Sequence, residues 1–177
     1  MTVTTANTAP NLRRLGFIIG VASLAAGVDL TVKAIVSTQL ASGKVLDWGL
    51  VNIQLVYNPG VAFSLGSTLP SWVISALTGT IIAALGGYLI TRSHRLSAVS
   101  TAGGALLLGG ALGNFIDRLD GRGVVDYLHT GWFATFNLAD VFVTVGVATL
   151  LLGMLGGQRN QTRTSPDQNA NSSPSQR

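Results

Sequence analysis

Cysteine and glutamate are both missing from this chain. The first absence excludes disulfides, thiolate nucleophiles and thiolate metal sites. The second leaves all acidic side-chain chemistry to seven aspartates. Charge of either sign is scarce: charged residues make up 10% of the chain, where a soluble domain carries about 25%. What replaces charge is apolar, with 47% hydrophobic residues, 22 glycines and a positive mean hydropathy. That balance points to lipid as the solvent. The net charge of +4 is not a nucleic-acid footprint, because the basic residues sit in short clusters between apolar runs, as membrane orientation requires.

Four such runs are present, about Leu15 to Val36, Trp72 to Thr91, Leu96 to Phe115 and Asn137 to Leu155. Each is close to the ~20 residues that cross a bilayer as a helix. The first resembles a secretory signal, with Arg13 and Arg14 before an apolar stretch and the small Ala25-Ala26-Gly27 inside it. Its apolar character resumes past Ala26, however, and three further spans follow, so it is expected to be retained. Residues 1–12 and 157–177 are polar and cannot build a core. They are expected to be disordered tails flanking a membrane domain at 13–156.

Lys and Arg give the orientation. Four spans put both termini and the 92–95 loop on one side, with Arg13, Arg14, Arg92, Arg95, Arg159, Arg163 and Arg177 against Asp167. The loops at 37–71 and 116–136 hold Lys44, Arg118 and Arg122 against Asp47, Asp117, Asp120 and Asp126. The positive side is expected to be cytoplasmic and the acidic loops to face outward. Trp48, Trp72 and Trp132 fall in or beside those outer loops, where an aromatic belt belongs. Between Val45 and Leu65 the apolar alternation, broken at Gly49 and Asn58-Pro59-Gly60, predicts two short strands with a turn, lying on the bilayer surface.

Ionisable groups in membrane helices need a partner or a task. Asp29 and Lys33 are one turn apart in the first span and can neutralise each other. Asn58-Pro59-Gly60 reads as a turn, or as a loop offering the Asn58 amide to a peptide while Phe63 anchors in lipid. Gly109 and Gly113 have the spacing of close helix contact. Asn114 and Arg118 share a helix face, with Asp117 an alternative partner for the guanidinium. Asn137 with Asp140 three residues on is a helix cap, yet Asp140 runs directly into Val141-Phe142-Val143. Asp126 is also flanked by apolar residues. Two carboxyls meeting at one apolar boundary would share a proton, so that one activates water and the other polarises a carbonyl. His94 and His129 lack a second histidine at ligand spacing, and neither metal nor cofactor is expected.

The Asp29/Lys33 pair, the Asn58–Phe63 segment, the 109–118 block GGALGNFIDR, the Val124–Tyr127 step and the Phe136–Asp140 block, in that order across four spans, resemble lipoprotein signal peptidase (signal peptidase II). The resemblance covers about residues 15–155. It implies a membrane all-α fold, a four-helix bundle carrying a small β-rich extracytoplasmic platform. It also implies an aspartic endopeptidase of the bacterial inner membrane that cuts diacylglyceryl-modified prolipoproteins before the lipidated cysteine. By that match Asp126 and Asp140 are the catalytic pair. Asn58, Gly110, Asn114, Arg118, Asn137 and Ala139 line or support the groove, with Asp29 and Lys33 beneath it. The expected partners are lipidated precursors and membrane lipid, with the chain acting as a monomer. The competing readings are a small transporter or channel with an aspartate-lined path, and a non-catalytic scaffold packed through its glycines.

Overall fold

The computed structural model describes residues 12–59 and 69–163, with side chains to 156. Asn58 and Pro59 are therefore included, while Gly60 through Phe63 and most of both expected tails lie outside the described residues. Four helices are long and apolar enough to cross a membrane: α1 (Leu12–Gln39), α2 (Ser71–Arg92), α3 (Ala98–Arg118) and α4 (Leu138–Arg163). Each contains its expected apolar run except at two starts: α4 begins one residue after Asn137, and at α3 Ser97 accepts a hydrogen bond from the Ser100 N–H and caps the helix two residues late. A further boundary differs at residue 157. The polar segment expected to be disordered from there continues α4 to Arg163. Backbone bonds propagate into it because Gln and Arg are good helix formers and no proline intervenes.

Helix α3 is the centre of the bundle and packs on the other three. Its small residues make this possible by leaving separate bare faces. A Cβ at Gly109 would lie 2.6 Å from the Ala22 carbonyl of α1, one at Gly110 2.5 Å from the Ala139 carbonyl of α4, and one at Gly104 2.5 Å from Leu89 of α2. Helix α1 answers with one stripe, Ile18, Ala22, Ala25, Asp29, Lys33 and Val36, spaced by three or four residues. Its other faces, with Phe17, Leu24 and Ile35, are exposed to where lipid would lie. Helix α2 buries only Ile74 and Leu89. At the basic end, the Arg14 guanidinium donates to the carbonyls of Ser93 and Leu96, satisfying the turn between α2 and α3.

A three-stranded antiparallel sheet covers the opposite end, ordered β1 (Leu46–Asp47), β2 (Asn52–Asn58), β3 (Val124–His129). The two strands expected between Val45 and Leu65 are present, but their turn is at Gly49, whose φ is 81°. Asn58 is instead the last residue of β2, so Asn-Pro-Gly does not join the two strands. The third strand was not foreseen. It comes from the second outer loop and pairs Tyr57 with Val125 and Asn58 with Val124. Val125 and Tyr127 pack with Val36 and Leu40 on the end of α1, which fixes the sheet to the bundle.

Candidate active site

Strand periodicity decides where Asp126 points. Val125 and Tyr127 turn toward α1, so Asp126 faces the other way. Asn58 is opposite Val124 and hence diagonal to Asp126 on the same face. Its Nδ2 donates to Asp126 Oδ2 at 3.0 Å. Gly123 makes this junction possible: with φ of 97°, a Cβ there would lie 2.5 Å from the Asn58 carbonyl oxygen.

After β3 the chain doubles back. Phe136 exchanges backbone bonds with Leu128, closing the 130–135 loop. That brings Asn137 directly beneath Asp126, and α4 starts at the next residue. Asn137 is wholly buried and connects the two acids. Its Nδ2 donates to Asp126 Oδ1 at 2.7 Å, while its backbone N–H donates to Asp140 Oδ2 at 3.1 Å. Asn137 Oδ1 accepts the Asp140 N–H in return, at 3.0 Å. The helix cap and the carboxylate pair, alternatives on the sequence, are one structure. The Leu138 N–H is taken by the Tyr127 hydroxyl and the Ala139 N–H by Asp29 Oδ1. Side chains from α1, β3 and the cap residue thus satisfy the first turn of α4, and so fix Asp140.

Asn114 ties α3 to both halves. Its Nδ2 donates to Asp140 Oδ1 at 2.8 Å, and its Oδ1 accepts from Asn137 Nδ2 and from Lys33 Nζ. Those partners leave one orientation for the amide. Lys33 is 2% exposed and sits between Asp29 at 2.8 Å and Asp117 at 2.9 Å. Asp117 therefore serves Lys33 rather than Arg118 alone, and it had not been singled out for the site. The available signal was its position three residues after Asn114, on the same helix face. Arg118 Nη1 donates to the Asn114 carbonyl, and the side chain lines the same groove as the two acids.

The groove encloses about 630 Å³. One part presents Asn58, Asn114, Arg118, Asp126 and Asp140; the remainder is walled by Trp132, Phe133, Phe136, Val141 and Val145. The three aromatic rings stack edge to face, at 5.7 and 6.1 Å. Gly110 and Ala139 do not reach the groove. They form the close α3–α4 contact behind it, and Asp29 with Lys33 forms the layer below. Burial pushes the Asp126 carboxyl up to about 6; the Asn58 amide opposes this, and the Asp140 charge adds to it. Tyr127 is pushed up to about 12, chiefly by burial, and keeps its hydroxyl proton. Among the described residues no group of three or more metal-binding side chains converges. His129 meets Thr135 at 3.3 Å.

The bundle and this buried polar network define a multi-pass membrane protein with a carboxyl pair in a half-apolar groove. Residues 21–156 match the family model of signal peptidase (SPase) II. The lipoprotein signal peptidase of Azoarcus sp. (strain BH72) is 34% identical over 148 residues, covering 80% of this chain and 84% of that protein. The one from Mesorhizobium japonicum is 37% identical over 142 residues, covering 77% and 84%. Two bacterial membrane enzymes solved by the in meso method superpose on the chain. The first has a TM-score of 0.70 at 27% identity, covering 86% of this chain and 95% of its own. The second has a TM-score of 0.66 at 29% identity, covering 80% and 94%. The chain belongs to the signal peptidase II family.

Proposed function

We propose that this protein removes signal peptides from diacylglyceryl-modified prolipoproteins as an aspartic endopeptidase, with Asp126 and Asp140 as its catalytic pair. The observation that carries this reading is Asn137, bound through its side chain to one carboxyl and through its backbone to the other. Asp140 is at the first turn of α4, where two N–H groups hold its carboxyl in the groove. It acts as the general base. Asp126, buried on its strand, holds the proton and gives it to the scissile carbonyl oxygen as Asp140 takes one from water. In the second half, the proton on Asp140 passes to the leaving nitrogen and Asp126 recovers one from the gem-diol, so the pair is regenerated. No metal is needed for either step.

The acidic end faces outward in this reading, and both termini are cytoplasmic. The arginines at residues 13, 14, 92 and 95 gather at the opposite end of the bundle. Exposed Trp48, Trp72 and Trp132 suit the outer lipid interface. A precursor that is anchored by its acyl chains enters laterally, with its peptide against the polar residues and its apolar portion along the aromatic wall. Purified protein in proteoliposomes is expected to convert a diacylglyceryl-modified precursor into a product beginning at the lipidated cysteine, read by mass spectrometry. It should leave the unmodified precursor intact. Equal cleavage of both would refute the substrate assignment, and transport without cleavage would replace it.

The proton assignment has a pH signature. Asp126 carries its proton below about pH 6 and loses it above, so kcat/KM should fall on the alkaline side as pH rises through that value, by up to tenfold per unit. Asn58→Ala removes an N–H that favours the charged form. Its alkaline limb should therefore move to higher pH. A limb that stays in place or moves down would mean that Asp126 is not the proton donor.

A further inference from the structure

Asp117 belongs to α3 yet makes its contacts elsewhere. Its Oδ2 is 2.9 Å from Lys33 Nζ on α1 and accepts the Val125 N–H of β3 at 3.1 Å. The side chain is 11% exposed, against 3% for Lys33. Val125 immediately precedes Asp126, so Asp117 holds the peptide unit one step before the residue that carries the catalytic carboxyl. The arrangement is not needed to neutralise Lys33, since Asp29 already does so from the same helix. A second carboxylate buried at one ammonium costs desolvation that the ion pair alone does not repay. A second role accounts for it: Lys33 and Asn114 are joined at 2.8 Å, and Asn114 bonds Asp140. Lys33 thus reaches one member of the pair through Asn114 and, through Asp117, the backbone of Val125 next to the other.

We propose that Asp117 is a positioning residue for Asp126, holding β3 at the height of the α4 terminus so that the two catalytic carboxyls face one groove. The inference rests on the catalytic pair proposed above. The strand has other anchors: the β2 ladder and the Phe136 bridge run along the sheet, and the Val125 and Tyr127 side chains pack on the end of α1, with the Tyr127 hydroxyl on the Leu138 N–H. Asp117 is the link from this peptide unit to the charged layer of the bundle. Its charge also offsets that of Lys33 where Asp126 is concerned. The charged groups around Asp126 are Lys33 and Asp29 from α1, Asp117 and Arg118 from α3, and Asp140 from α4. Strand β2 contributes the neutral Asn58 amide; Tyr57, paired with Val125, lies on the opposite face under Arg122.

The test is Asp117→Asn, which keeps an acceptor for Val125 and removes the charge, compared with Asp117→Glu, which keeps both on a longer arm. For Asp117→Asn in proteoliposomes the expected result is a kcat lowered roughly tenfold, equivalent to about 1.4 kcal/mol. KM should stay within about twofold, and the alkaline limb should move to lower pH because Lys33 is less compensated. Asp117→Glu should also lose kcat, through displacement of β3, with the limb unmoved. Wild-type kcat in Asp117→Glu, or a folded Asp117→Asn with unchanged kcat and limb, overturns the proposal. If Asp117→Asn does not fold, Asp117→Glu decides alone. Failure of the catalytic pair itself is distinguishable, because Asp126→Asn would then retain cleavage while Asp117 variants are irrelevant to it.

Discussion

Replacing Asp126 or Asp140 by asparagine is expected to abolish cleavage while leaving the protein folded. Each carboxyl acts in both halves of the reaction, and losing a general acid or base costs roughly 10²–10⁴-fold per step, which puts turnover of a lipidated precursor below detection. For Asp126 the fold should tolerate the change because opposing effects nearly cancel. At neutral pH, Asp126 is ionised in an apolar setting beside a second acid, and neutralising it relieves on the order of 2–3 kcal/mol. That relief is absent below about pH 4, where the carboxyl is protonated in both folded and unfolded chains, and is complete above about pH 6. Against it, the asparagine NH₂ replaces one oxygen that accepts from Asn58 or Asn137. Two donors facing each other cost about 1–3 kcal/mol. For Asp140 the added loss is the favourable charge at the helix terminus, about 0.3–1 kcal/mol. Melting temperatures in detergent should stay within a few degrees of wild type. Measurable processing by a folded Asp126→Asn or Asp140→Asn protein would end the aspartic assignment.

Lys33→Met should do the reverse and destroy the fold. Asp29 and Asp117 would be left buried around an apolar side chain. Breaking a buried ion pair from one side costs about 3–5 kcal/mol, a large part of the total stability of a domain. Asn114 also loses the donor that orients its amide. The expected result is little folded protein on extraction, read by size exclusion and thermal unfolding. Adding Asp29→Asn and Asp117→Asn to Lys33→Met should recover part of the stability, and the double-mutant cycles would apportion it. A Lys33→Met protein as stable as wild type would show that the charged layer carries no structural weight.

The spans were legible because lipid imposes a single rule on every residue they expose, and apolar length alone satisfies it. The acids were legible as a group for the complementary reason, since few charges enter such a chain without a task. The sheet was only half legible. VVDYLH has the β-branched content of a strand, but its partner is Asn52–Asn58, far back in the sequence, and no local pattern specifies that pairing. Asn137 was legible as a cap because capping is local. Its second bond, to Asp126, depends on the chain reversal at Phe136. Asp117 shows the same limit: Arg118 beside it was the nearer candidate, whereas its partner lies on another helix. The glycines of α3 pointed to close packing, but which glycine meets which helix needed the three-dimensional arrangement.

The four-residue spacing of Asp29 and Lys33 also has a meaning during biosynthesis. Lys33 precedes its partner Asn114 by 81 residues, and Asp29 precedes the Ala139 amide by 110. At ~5–20 residues per second, α1 waits several seconds or more in the bilayer before α3 and α4 arrive. A lone charge there would favour ejection of the helix. Because each charge has the other one turn away on the same helix, the nascent span carries its own counter-ion, and the tertiary partners have only to replace a contact that kept it inserted.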